Sequence, residues 1–183
     1  MKLEEPKFTI TGSIEITARS GDRIVDTRSV RNLVVTAGKR HLLSLIGGVA
    51  GYGGIKAMRV GNGGAGYTGV GATGTQPAEL FVPRAFTLAD TDLRHALGYQ
   101  QGIDPNGTVV TLVAQTVKVS ATFHASQTSA NQFGFEPFVI NEVALIGQGP
   151  SGDVPLALSA FKAIAFDPAS TMIVQFEWTL QVN

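Results

Sequence analysis

The sequence predicts a mostly β fold, an antiparallel β-sandwich (jelly-roll-like) with one short α-helix, and three observations predict it. Several segments alternate apolar and polar residues with a period of two. Clusters of Gly, Pro, Asn and Asp punctuate them as turns. Only one stretch has the apolar spacing and end signals of a helix. The 183 residues are enough for one substantial core and marginal for two. No repeat, heptad or linker divides them, so the chain reads as a single β-sandwich domain over 1–183. That domain includes a short N-terminal arm (1–7) and a Gly-rich loop (about 61–76).

The first strand is signalled by Phe8, Ile10, Ile14 and Ile16 alternating with Thr9, Thr11, Glu15 and Thr17, with Gly12 as a bulge or kink. Ser20-Gly21-Asp22 turns the chain, and Arg23 to Val35 returns as the second arm of a hairpin. The helix spans Thr36 to Gly47, about three turns. Thr36 is placed to cap it, Leu42, Leu45 and Ile46 share one face, and Gly47 ends it.

Residues 47–74 hold twelve of the 22 glycines. Within them only Ile55 to Val60 has strand character, and the rest reads as loop, because glycine loses the most backbone freedom on folding. Arg84 to Leu88 is expected to be a short strand, and Asp104-Pro105-Asn106-Gly107 a turn. A long strand follows, with Val117, Val119, Ala121 and Phe123 on one face and Thr116, Lys118, Ser120 and Thr122 on the other. Val139 to Ile146 is an apolar strand, Gln148 to Asp153 a turn, and Leu156 to Phe166 the next strand. The last strand has the clearest alternation. Met172, Val174, Phe176, Trp178, Leu180 and Val182 point inward, with Thr171, Gln175, Glu177, Thr179 and Gln181 outward.

Composition narrows the function. Fourteen basic residues balance fourteen acidic ones, so no basic excess is available to displace the counterions of a nucleic acid. The one basic cluster, Arg23, Arg28, Arg31, Lys39 and Arg40, is interrupted by Asp22 and Asp26 and reads as a solvated strand edge. With no cysteine, disulfides, thiolate metal sites and thiol catalysis are excluded. MKLEEPKFTI lacks the apolar stretch of a signal peptide, and no run reaches the length of a membrane span, so cytoplasmic synthesis without a cleaved export signal is expected. Charged residues make up only 15%, against about 25% in ordinary soluble domains. Such a surface is either solvated by neutral polar residues or partly covered by other chains.

The candidate chemical motifs each have a simpler reading. Gly61-Asn62-Gly63-Gly64-Ala65-Gly66 matches the dinucleotide-binding glycine pattern, but that site needs a helix starting there to hold the pyrophosphate. The glycine-rich run beyond it cannot sustain a helix, so it reads as loop. His41, His95 and His124 lie far apart without ligand spacing. His41 is expected at the surface or at the helix end, and His124 on the outward face of its strand. Asp90-Thr91-Asp92 places two carboxylates close together but reads as a solvated turn. No serine sits in a nucleophile elbow. No catalytic, cofactor-binding or metal-ligating residue is therefore assigned, and no enzyme activity or cofactor is expected.

Aromatic residues off the period stand out instead. Phe133, Phe135 and Phe138 lie in a loop-like stretch with Gly134 and Pro137, where no periodicity buries them in their own sheet. They are expected to dock on a neighbouring subunit or to fold onto the chain's own core. Trp178 with these phenylalanines is a possible sugar platform, but Trp178 falls on the apolar face of its strand, which favours core packing.

Three segments carry a family resemblance. They are Asn32-Leu33-Val34-Val35-Thr36-Ala37-Gly38-Lys39 with the helix end at Leu42 to Gly47, then Ile55-Lys56-Ala57-Met58-Arg59-Val60-Gly61-Asn62-Gly63, and Asn141-Glu142-Val143-Ala144-Leu145-Ile146-Gly147. In order, with a closing strand like Phe176-Glu177-Trp178-Thr179-Leu180, they resemble small virion structural proteins of tailed bacteriophages, of the tail-fibre, baseplate or capsid-accessory type. The resemblance spans roughly Gly12 to Val182. The glycine-rich insertion after Gly61 is long for that pattern.

The resemblance implies a non-enzymatic β-sandwich protomer of the virion. It would serve as a tail or baseplate component or a capsid decoration (cement) protein, made in the host bacterial cytoplasm. It would assemble with itself, as a trimer or hexamer, and with other virion structural proteins, and engage neither nucleic acid nor membrane. The residues expected at its interfaces are Lys2, Glu4 and Glu5 of the arm, Tyr67 of the glycine loop, and Phe133, Phe135 and Phe138. The competing expectation is a stand-alone carbohydrate-binding β-sandwich module.

Overall fold

The computed structural model describes residues 9–61, 64–65, 82–83, 85–91, 96–97, 109–124, 138–166 and 171–182. In chain order its elements are β1 (Ile10–Ser20), β2 (Arg23–Arg31), β3 (Leu33–Val34), α1 (Thr36–Ile46), β4 (Ile55–Gly61), β5 (Gly64–Ala65) and β6 (Val82–Pro83). They continue with β7 (Ala96–Leu97), β8 (Val109–Val113), β9 (Thr116–His124), β10 (Phe138–Gly149), β11 (Gly152–Phe166) and β12 (Met172–Val182). Two five-stranded antiparallel sheets result, ordered β2-β1-β12-β9-β8 and β3-β11-β10-β4-β7, with β5 and β6 pairing separately. The antiparallel sandwich with one helix is the architecture that the alternation predicted. The hairpins β1–β2, β8–β9 and β10–β11 each stay in one sheet, as does the β3-α1-β4 connection, and the chain crosses between the two large sheets after β2, β7, β9 and β11.

The alternation explains the first sheet directly. Ile14, Ile16 and Ala18 of β1, Val119, Ala121 and Phe123 of β9, and Val174, Phe176 and Trp178 of β12 are all buried and face inward. They meet Met58 and Val60 of β4, Ile140, Val143 and Leu145 of β10, and Phe161 and Ile164 of β11 from the second sheet. At the centre, Phe176 packs edge-on to Phe123 at 5.4 Å between ring centroids and tilted against Phe161 at 5.9 Å. Rings arranged this way add about 0.5–1.5 kcal/mol per pair beyond the area they bury.

The second sheet is covered on both faces, which is why β10 reads as a continuous apolar run: every residue from Ile140 to Gly147 is buried. Its other face carries Ala144, Ile146 and Leu158, packed with Val35 and, less deeply, Leu33, Ala37, Ala57 and Phe86. Helix α1 lies over this layer against β11. The molecule is therefore sheet, core, sheet, thin second core, helix.

Several elements differ from expectation. The pairing of β1 with β12 runs unbroken past Gly12, and the register shift lies between Ala18 and Arg19 on the β2 side. Gly12 answers to close packing instead: a Cβ there would overlap the Asn32 side chain and stand 2.8 Å from the Thr179 carbonyl oxygen. The returning strand stops at Arg31, because the chain crosses at Asn32 to the second sheet, where Leu33 and Val34 pair with Leu158 and Ala157. Of the strand expected over Arg84 to Leu88, residues 85–88 are not strand and a turn stands at Leu88-Ala89, while β6 lies at Val82–Pro83 and Arg84 is outside the described residues. The long strand holding Val117 begins at Thr116 and is preceded by a hairpin partner, β8, across the turn Ala114-Gln115. Ala114 adopts a positive φ of 51° there, a conformation that sequence rules reserve for Gly or Asn, so the turn carried no signal. Asp104 to Gly107 lies outside the described residues.

Candidate interaction surfaces

Helix α1 carries the shared apolar face its periodicity predicts, turned largely to solvent. Its buried residues are Gly38 and His41, while Leu43 is 69% and Ile46 77% exposed. Glycine is what allows the helix to lie so close to the sheet, since a Cβ on Gly38 would overlap the backbone carbonyl of Leu156. Of the apolar face formed by Leu42, Leu45 and Ile46, Leu45 and Ile46 are exposed and Leu42 is half-buried. Leu42, Leu43, Leu45 and Ile46, with Ile10, Thr9 and Lys39, line an open apolar groove, and Val49 is exposed just beyond. The expected side-chain cap is also absent. Val35 is the N-cap residue and makes no side-chain cap bond, Thr36 lies within the first turn, and the Thr36 amide donates to the Leu88 carbonyl at 2.9 Å. Gly47 closes the C-terminus as predicted, with its amide donating to Leu43 O.

His41, expected at the surface or helix end, is fully buried. Its Nε2 lies 2.8 Å from the Gly53 carbonyl oxygen, and its ring meets Tyr52 edge-on at 5.1 Å. It pins α1 to the segment entering β4, a structural task. Neighbouring Gly147 leaves the space for the ring: a Cβ there would stand 2.9 Å from Nε2. His124 is half-buried on the outward side of β9, as its alternation predicts, and His95 lies outside the described residues.

Several other charged groups form ion pairs, whereas Glu142 of β10 is fully buried. Asp153 is shared by Arg59 and Lys56. Arg28 pairs with Asp26 and donates to the Lys162 carbonyl, so this part of the basic cluster is a self-paired strand edge. Asp90 accepts from the amide and the hydroxyl of Thr87, the hydroxyl at 2.9 Å, and closes a local turn. Its neighbour Asp92 lies outside the described residues. Gly64 and Ala65 of the glycine motif form a short strand paired with Pro83 and Val82, and Asn62, Gly63 and Gly66 lie outside the described residues. Among the described residues no three His, Asp or Glu side chains cluster as metal ligands, and no helix is long and apolar enough to cross a membrane.

Of the predicted interface residues, Lys2, Glu4, Glu5, Tyr67, Phe133 and Phe135 lie outside the described residues. Phe138 begins β10, where it pairs with Phe166, so it belongs to a strand and not to a loop. Trp178 is fully buried in the core, which removes it from any sugar platform.

Sequence reasoning missed the exposed apolar surfaces that the fold creates. Besides the outer side of α1, Ile24 and Val25 stand open at the tip of β2, and Val110, Leu112 and Val113 on the edge strand β8. Scattered apolar side chains are normal on a surface, but rows on one helix face or one strand edge mark places where another chain fits. Comparison with family models, curated proteins and solved structures gives no match.

Proposed function

We propose that this chain is a non-enzymatic structural subunit of a tailed-bacteriophage virion, assembled with copies of itself and with neighbouring virion proteins. Its place would be in the tail or baseplate or as a capsid decoration protein. The observation that carries the reading is the outward-facing apolar side of α1. A helix of three turns keeps Leu43 and Ile46 in water while spending its inward face on Gly38 and His41. In a monomer that arrangement wastes the hydrophobic stabilisation the same residues would give by facing in, about 1.5–3 kcal/mol for each large side chain. It is economical when a second chain covers the helix on assembly.

The low fraction of charged residues, 15%, supports the same reading, as does the resemblance of the Asn32 to Gly47, Ile55 to Gly63 and Asn141 to Gly147 segments to virion structural proteins. The test is mass spectrometry and electron microscopy of density-banded particles from cells expressing the chain with its phage. The reading expects the chain at fixed stoichiometry in the particles. Finding it only in the soluble lysate contradicts the proposal.

A further inference from the structure

We propose that the outer edge of β8 is a homotypic docking strand: two copies of this chain pair their β8 strands antiparallel about a two-fold axis at Thr111, merging their five-stranded sheets into one. The proposal deepens the assembly reading and rests on it for self-association.

The four edges of the two five-stranded sheets differ in how they are protected. An exposed edge strand is a template for pairing, and proteins blunt such edges by shortness, charge, proline or bulges. In the second sheet the edges β3 and β7 are two residues long. In the first sheet the edge β2 carries Arg23, Asp26, Arg28 and Arg31, and its register is broken between Ala18 and Arg19. The fourth edge, β8, has none of these devices. Val109-Val110-Thr111-Leu112-Val113 contains no charge, proline or glycine, and its pairing with β9 is unbroken. Val110, Leu112 and Val113 are 49%, 72% and 57% exposed. Among the described residues no strand pairs with its outer edge.

Backbone geometry determines which residues that edge offers. The two-residue turn makes Val113 and Thr116 the hydrogen-bonded pair that closes the hairpin. Alternation then directs the backbone groups of Thr111 and Val113 toward β9, and those of Val110 and Leu112 outward. The sequence is nearly palindromic about Thr111 in apolar character, which is what commits the edge to a second copy of itself. Antiparallel self-pairing sets Val110 opposite the partner's Leu112, twice by symmetry, with backbone hydrogen bonds exchanged in both pairs. Thr111 meets the partner's Thr111 between them, a favourable cross-strand pair. No like charges are brought together.

The side-chain faces agree with this pairing. Val110 and Leu112 lie opposite Val119 and Val117, which turn toward the core. They therefore extend the inner face of the sandwich past its own cover, and the partner's strand supplies the apolar neighbours they lack.

Cysteine trapping combined with light scattering tests the proposal. The chain has no cysteine, so Thr111→Cys introduces a single thiol. In the proposed pair it sits opposite its own copy at a non-hydrogen-bonded position, with Cα atoms about 4.5 Å apart, within the range a disulfide spans. Mild oxidation should convert most of this variant to a covalent dimer, while Thr27→Cys on the edge β2 stays a single chain. Leu112→Lys, solvated in one copy but placed against the partner's Val110 in the pair, should return the scattering mass toward the 19.2 kDa chain. If the unaltered chain self-associates but Thr111→Cys does not cross-link and Leu112→Lys changes nothing, the β8 pairing is wrong and the assembly reading survives. If the unaltered chain is also a single unit at on the order of 100 µM, a concentration at which weak complexes form, both fall.

Discussion

The ring of His41 on α1 and the carbonyl of Gly53, twelve residues on, are held 2.8 Å apart inside the protein, with Nε2 donating. This bond ties the helix to the entry of β4 and satisfies a backbone acceptor beneath the helix. His41→Ala removes the bond, strands the acceptor and leaves a cavity beside Tyr52. The expected loss is about 2–4 kcal/mol, read as a lower midpoint in urea unfolding with an unchanged slope.

Gly38→Ala pits two effects against each other. In a free helix alanine is better than glycine by up to about 1 kcal/mol. Here the new Cβ meets the Leu156 backbone, which cannot rotate out of the way, and overpacking costs about 1–3 kcal/mol. The clash wins, so this variant should be less stable, and amides of α1 should exchange faster with deuterium than those of β12. A gain in stability would show that the helix does not sit this close.

Those two residues also show where the sequence was legible. The strands with strict alternation, β9 and β12 above all, were read correctly to the face, since a half-buried strand writes its orientation into every second residue. The apolar stripe of α1 was also visible, but period alone records that a face is apolar, not whether the chain's own core or a partner covers it. The inward face was spelled by Gly38 and His41, neither of which signals burial. The hairpin turn at Ala114 was hidden for a related reason, because a strained alanine stands where glycine would have announced it. The apolar edge of β8 was invisible until the strand order placed it outermost.

On the solvent face of the first sheet Glu15 lies directly across from Glu177, and the Lys118 ammonium bridges to Glu177 at 2.8 Å. The hydrogen bond to Glu177 and that carboxylate's charge raise Lys118 above the ordinary amine value. Desolvation opposes them, and Glu15 adds a smaller push upward. A raised folded-state value means the contribution is complete below the unfolded amine's pKa, about 10.4, and is lost as pH climbs through the folded value. Lys118→Met should therefore lower the melting temperature at neutral pH. The gap from the unaltered protein should narrow in strong alkali and in high salt, which screens exposed charges. A gap unchanged by salt would show that the lysine acts by packing.

The outer side of α1 separates stability from assembly. Replacing Leu43 and Ile46 together by serine touches side chains already in water, so unfolding free energy should move by no more than about 0.5 kcal/mol per site. Incorporation into particles should fall sharply. Equal incorporation of the double variant would remove the helix face from the interface.

The central claim is that other chains complete this fold's exterior, and light scattering of the unaltered protein across about 1 to 100 µM tests it most directly. The mass should rise with concentration to a multiple of 19.2 kDa. A mass fixed at one chain throughout that range would contradict it.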